Sequence, residues 1–182
     1  MSRKPRINYP EQIVHVTSHA NWDVPLFVID ADREIYLGLL EEVIEKYSWD
    51  CFAYCLMDNH LHLLLKLKEV NLSAGMRELN GKYSRRYNKR HKKRGKLFRE
   101  RFNDESVESE AHFLEACRYI EMNPVEANIV RHPVEWIWSS YRATVGLDSA
   151  PSFLNVIEVL SNFGADIGTA RREYERFVTA KV

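Results

Sequence analysis

The stretch Cys51-Phe-Ala-Tyr-Cys-Leu-Met-Asp-Asn-His-Leu-His-Leu-Leu-Leu65 decides the fold. Two apolar runs flank the turn-forming pair Asp58-Asn59, so the segment reads as two short strands closed by a tight turn. Side chains two apart in a strand leave from the same face of the sheet. His60 and His62 therefore point one way, and Leu61 points the other way into a packed layer. Two neutral imidazoles side by side on a strand begin a divalent-metal site, but they supply only two donors. For the pair alone, capping a partly buried strand end is the better reading.

Outward from the hairpin, Ile13 to Ser18 reads as a first strand, with His15, Thr17 and His19 opposite Val14 and Val16. Ile35, Leu39, Val43 and Tyr47 recur at helical spacing behind a cap at Asp30 or Asp32. Leu72, Met76, Leu79 and Tyr83 mark a second helix that starts after Asn71 or Ser73 and ends before Gly95. Leu97, Phe98, Phe102 and Val107 predict a fourth strand or extended segment. A third helix covers about Ser109 to Met122, with Pro124 expected to stop it. Val134 to Val145 reads as one short helix carrying Trp136, Trp138 and Tyr141 inward, and two weak helical patterns follow around Gly164 and Gly168. The order strand, helix, strand, strand, helix, strand, helix predicts an α+β split βαβ fold: a mainly antiparallel sheet with helices on one face and a free face for the histidines.

At 182 residues the chain suits one domain with a small appendage. No apolar stretch reaches membrane-spanning length, and the basic N-terminus has no apolar signal core behind it. A cytoplasmic location, with no membrane partner, is the expectation. Cys51, Cys55 and Cys117 are odd in number and read as buried thiols, not a disulfide frame. A formal net charge of zero argues against a nucleic-acid partner until its distribution is read. Between Lys82 and Arg101, Glu100 is the sole acid among eleven cations. Such a local block suits a polyanion, because screening confines each phosphate contact to its neighbourhood. Lys82, Arg85, Arg86 and Lys89 form a stripe on the second helix, Lys92, Lys93, Arg94 and Lys96 continue into the loop, and Tyr83, Tyr87 and Phe98 are interleaved as candidates for base stacking.

The third helix carries Arg118-Tyr-Ile-Glu-Met-Asn-Pro-Val-Glu-Ala127. Tyr119 and Asn123 are four apart and share a face one turn apart. An amide oxygen is a hard ligand that suits Mg²⁺ or Mn²⁺, although a core aromatic and a helix cap fit the same spacing. Two further blocks are Gly95-Lys-Leu-Phe-Arg-Glu-Arg-Phe102 and Trp138-Ser-Ser-Tyr-Arg-Ala143. Together with the hairpin, these segments resemble the REP-associated tyrosine transposases, a branch of the single-tyrosine HUH transposases of insertion sequences. The resemblance runs in order from about Ile13 to Gly146. It divides the chain into a transposase domain, residues 1–149, and a C-terminal helical extension, residues 150–182.

The resemblance implies a ferredoxin-like fold, with His60 and His62 binding a divalent metal ion, Mg²⁺ or Mn²⁺. It places the nucleophile at Tyr119 and the third metal ligand at Asn123. The implied partner is single-stranded or hairpin repeat DNA, bound by a monomer or a homodimer. One departure lies in the first strand: relatives often read His-Val-Thr-x-Arg-Gly-Asn, whereas this chain has His15-Val-Thr-Ser-His-Ala-Asn21. Cutting a strand and rejoining it without ATP requires conserving the phosphodiester energy, which a 5′-phosphotyrosine link does. A phenol titrates near pH ~10, so a metal polarising the phosphate would compensate for a weak nucleophile. A water-using metallo-nuclease and a catalytically silent DNA-binding protein of the same fold are the competing readings.

Overall fold

The computed structural model describes residues 8–22 and 24–180, so the basic N-terminus lies outside the described residues. The chain runs β1 (Ile13–His19), α1 (Asp30–Tyr47), β2 (Trp49–Leu56), β3 (His60–Leu67), α2 (Leu72–His91), β4 (Asn103–Val107) and α3 (Glu110–Glu126). The sheet order is β2-β3-β1-β4, and every neighbouring pair is antiparallel. This is the predicted split βαβ arrangement. No helix of the described residues is long and apolar enough to cross a membrane, and the three cysteines are free and buried.

Period-two alternation sorts β1 and β3 between two cores. Val14, Val16, Leu61, Leu63, Leu65 and Leu67 face α1 and α2, among Leu39, Val43, Met76 and Leu79. Leu64 and, from β2, Phe52 and Cys55 face the other way, against Phe113, Cys117 and Ile120 of α3. Helices therefore lie on both faces, and the expectation of a free face is corrected. The reason is β2, whose run from Cys51 to Met57 is buried throughout. A strand apolar on both sides needs cover on both sides. Only the β1 and β4 side of the second face stays open.

Two further boundaries differ from expectation. Pro124 does not stop α3, which continues to Glu126. The ring deletes only its own backbone bond, and the Ala127 N–H donates to the Asn123 carbonyl at 2.9 Å, completing another turn. The stretch Val134 to Val145 is not one helix. A 3₁₀ turn at Pro133–Glu135 leads through a turn at Ile137 and Trp138 to α4 (Tyr141–Thr144). Between them Ser139 bridges Cys55 at the outer edge of β2: Leu56 N–H donates to the Trp138 carbonyl and Ser140 N–H to the Tyr54 carbonyl, each at 2.9 Å. Unpaired edge groups outweigh a weak helical preference. The tail forms α5 (Val156–Leu160) and α6 (Ile167–Thr179), whose Val159, Leu160, Tyr174 and Val178 complete the second core.

Trp49 shows how closely the helices approach the sheet. Its indole N–H donates to Asn71 Oδ1 at 2.6 Å, and the ring lies under α2 at Gly75, where an added methyl would overlap it. Gly75→Ala is expected to lower stability by about 1–3 kcal/mol through overpacking, despite alanine's better helix propensity. A drop in the urea midpoint at unchanged slope checks this.

Candidate active site

The open part of the second face is a cleft of about 660 Å³. Its floor comes from alternation on two neighbouring strands, since His15, Thr17 and His19 of β1 share a face with His60 and His62 of β3. The register sets His19 opposite His60 and Thr17 opposite His62. One wall is α3, with His112, Glu115 and Tyr119, and the other is β4, with Asn103, Asp104 and Glu105. The structure thus brings together all four residues singled out as catalytic or metal-binding.

Asn123, on the buried side of α3, meets both histidines: His60 Nε2 lies 2.9 Å from its Oδ1, and its Nδ2 lies 3.2 Å from His62 Nε2. The far nitrogens are occupied elsewhere. His60 Nδ1 is 2.7 Å from Asn59 Oδ1, and His62 Nδ1 is 2.9 Å from His15 Nε2 and 3.3 Å from Thr17 Oγ1. A neutral imidazole has one N–H and can donate to only one oxygen. With that proton given to Asn59, the His60 Nε2 lone pair and the Asn123 amide oxygen face each other across a gap that suits a cation. Adjacent ligands of an octahedral ion bound at ~2.1 Å lie ~3.0 Å apart, which matches the 2.9 Å between His60 Nε2 and Asn123 Oδ1. Occupied far nitrogens are also what orients imidazole ligands. Among the described residues no three His, Cys, Asp or Glu side chains are grouped to hold a metal, so an ion here would need the amide as its third donor.

Burial governs the charge state of this floor. It pushes His62 down to about 2, reinforced by the neighbouring imidazoles of His15, His60 and His19. Burial lowers His60 as well, partly opposed by its Asn123 contact, and lowers His15 despite the carboxylate of Glu105 nearby. Neutral rings keep lone pairs available for a ligand.

Tyr119 sits over this floor, its ring 5.5 Å from that of His62 and 5.8 Å from that of His15, both edge to face. It is 44% exposed, whereas Tyr83, Tyr87 and Tyr141 are at most 2% exposed. The last three are core side chains. Their burial also corrects the expectation that Tyr83 and Tyr87 stack on bases: Tyr83 donates its hydroxyl to the Leu26 carbonyl.

The basic block divides. Arg85, Arg86, Lys89, Lys92, Lys93, Arg94 and Lys96 are exposed, but Lys82 is held by Glu42 at 3.1 Å and Glu78 at 3.0 Å. Because α2 packs on the first face, this surface lies across the sheet from the cleft. The chain after it returns to the cleft, with Ala20 and Phe98 forming an antiparallel bridge at the end of β1.

One buried group escaped sequence reading. Glu121, two residues from Tyr119, is fully buried and accepts from Ser140 Oγ at 2.6 Å, Tyr174 Oη at 2.8 Å and Thr144 Oγ1 at 3.4 Å. Burial pushes its carboxyl up to about 7 against the pull of those hydroxyls. It ties α3 to α4 and α6. The only sequence signal was an acid on the otherwise apolar face of α3. Glu121→Ala takes the acceptor from the buried Tyr174 hydroxyl and leaves Ser140 and Thr144 only the Tyr54 and Ser140 carbonyls; it is expected to cost about 1–3 kcal/mol, with Glu121→Gln closer to wild type, in urea unfolding.

Residues 11–123 match the family model described as transposase IS200 like, and the chain belongs to that family. It is therefore a single-tyrosine transposase, an enzyme that binds DNA. A REP-associated tyrosine transposase solved bound to a REP hairpin has the same fold, with a TM-score of 0.70 at 16% identity over 92% of this chain and 93% of that one. A putative transposase from Deinococcus radiodurans R1 is 20% identical over 65% of this chain and 96% of its own, with a TM-score of 0.47. No curated protein matches.

Proposed function

We propose that the protein cuts and rejoins single-stranded or hairpin repeat DNA through a 5′-phosphotyrosine intermediate on Tyr119. The observation that carries this reading is the exposed phenol of Tyr119, one helical turn from an amide that meets Nε2 of both His60 and His62. Tyr119 Oη attacks the scissile phosphorus. The Oη–P bond forms, the bond to the deoxyribose 3′ oxygen breaks, and the phenol proton leaves with the displaced oxygen or to water. The freed 3′ hydroxyl can attack a second phosphotyrosine link, which restores a phosphodiester and the phenol.

His60, His62 and Asn123 would hold a divalent ion, Mg²⁺ or Mn²⁺. When bound, it supplies positive charge to a non-bridging phosphate oxygen. His15 and Thr17 keep the His62 ring oriented, and Asn59 does the same for His60. On the cleft rim Glu115 is ion-paired with Arg118, and the neutral histidine floor offers a phosphate no positive charge until a cation is bound there. Duplex DNA would lie on Arg85, Arg86, Lys89, Lys92, Lys93, Arg94 and Lys96, with Lys82 kept to its structural ion pairs. The reaction would take place in the cytoplasm.

All four site residues meet within one chain, which supports catalysis by a single protomer, whether it is a monomer or one half of a homodimer. Tyr119→Phe and His60→Ala are each expected to form no covalent adduct with a hairpin oligonucleotide in Mn²⁺. Mixed together they are expected to stay inactive. Recovery of adduct in the mixture would mean that two chains share a site. Metal binding is checked separately by calorimetry: Asn123→Ala should weaken Mn²⁺ by roughly 10-fold or more, in the range that loss of a coordinating or supporting group produces, while Tyr119→Phe leaves it unchanged.

A further inference from the structure

Trp22 is 81% exposed, more than any other large apolar side chain among the described residues. It is not left bare, since the Arg99 guanidinium carbon stands 4.4 Å from its ring centroid. A rigid base carries both side chains. Ala20 and Phe98 form an antiparallel bridge, Asn21 N–H donates to the Leu97 carbonyl at 2.7 Å and Arg99 N–H to the His19 carbonyl at 3.0 Å. Trp22 N–H donates to Asn21 Oδ1 at 3.1 Å, which fixes the loop just before the indole. Glu100 lies 3.7 Å from the Arg99 guanidinium.

Trp22, Asn59 and Arg99 line a second cleft of about 370 Å³, and His19 is a wall of both this cleft and the one beneath Tyr119. The His19 ring stacks on that of His60, with centroids 5.4 Å apart. A strand leaving the first cleft past His60 therefore enters the second. There it meets the Trp22 indole, with the Arg99 guanidinium standing over one face of the ring.

We propose that Trp22 and Arg99 form a base-stacking subsite for an unpaired nucleobase of the bound strand, adjacent to the scissile phosphate. The base lies on the free face of the indole, and the guanidinium, held against the opposite face, reaches the neighbouring phosphate. Stacking on a π-face is tolerant of base identity, so the subsite holds the strand in place without reading its sequence. This inference rests on the cleft being the strand-cutting site.

The test uses the full chain and a DNA hairpin with single-stranded tails at both ends. Trp49 is buried and Trp136 and Trp138 are half-buried, so emission from Trp22 should be the part quenched on binding. Trp22→Ala is expected to bind roughly 5- to 100-fold more weakly, and Trp22→Phe to keep most of the affinity. With abasic sites throughout the tails, wild type and Trp22→Ala should bind alike. Unchanged affinity in Trp22→Ala, with the wild type still forming its adduct, would overturn the subsite alone. A wild type that neither binds the hairpin nor forms an adduct would overturn the strand-cutting reading and this one with it.

Discussion

The site depends on one contact, the amide of Asn123 set against Nε2 of two histidines on a single strand. For that contact to exist, α3 must cross the sheet at one height and one rotation. Several features fix both. Phe113, Cys117 and Ile120 seat the helix on β2 and β3, Glu121 ties it to Ser140, Thr144 and Tyr174, and the helix runs through Pro124 instead of ending there. Tyr119, one turn earlier, is then carried over the same floor. A small rotation of α3 would remove the amide from between the rings and turn the phenol away together.

Much of this was legible because it depends on short-range periodicity. The spacing of His60 and His62 on a strand, and of Tyr119 and Asn123 on a helix, gave two faces without any structure. What periodicity could not give was which faces meet. That follows from the strand order, which seats β1 between β3 and β4 and so brings His15, Thr17 and His19 against the other two histidines. The second helical layer was missed although its signal was present: β2 is apolar without alternation, the pattern of a strand covered on both faces. Trp138 to Ser140 misled for another reason, because a neighbouring strand edge decided their conformation and no local pattern reports that.

The basic surface and the histidine floor sit on opposite sides of the sheet. The basic surface of α2 belongs to the first face, and the histidine floor with its acidic rim belongs to the second. Neutral rings give the floor no positive charge of its own with which to hold a phosphate. The chain from Gly95 to Phe102 joins the two regions, leaving the basic loop and pairing with the end of β1. DNA gripped by α2 would reach the cleft around that edge.

The most direct measurement is to trap the protein on a hairpin oligonucleotide in Mn²⁺, digest the complex and locate the modified peptide by mass spectrometry. A Tyr119 nucleophile predicts a nucleotide joined through its 5′ phosphate to that tyrosine and to no other. Cleaved DNA with free ends and no modified peptide, or a modification at another tyrosine, would contradict it.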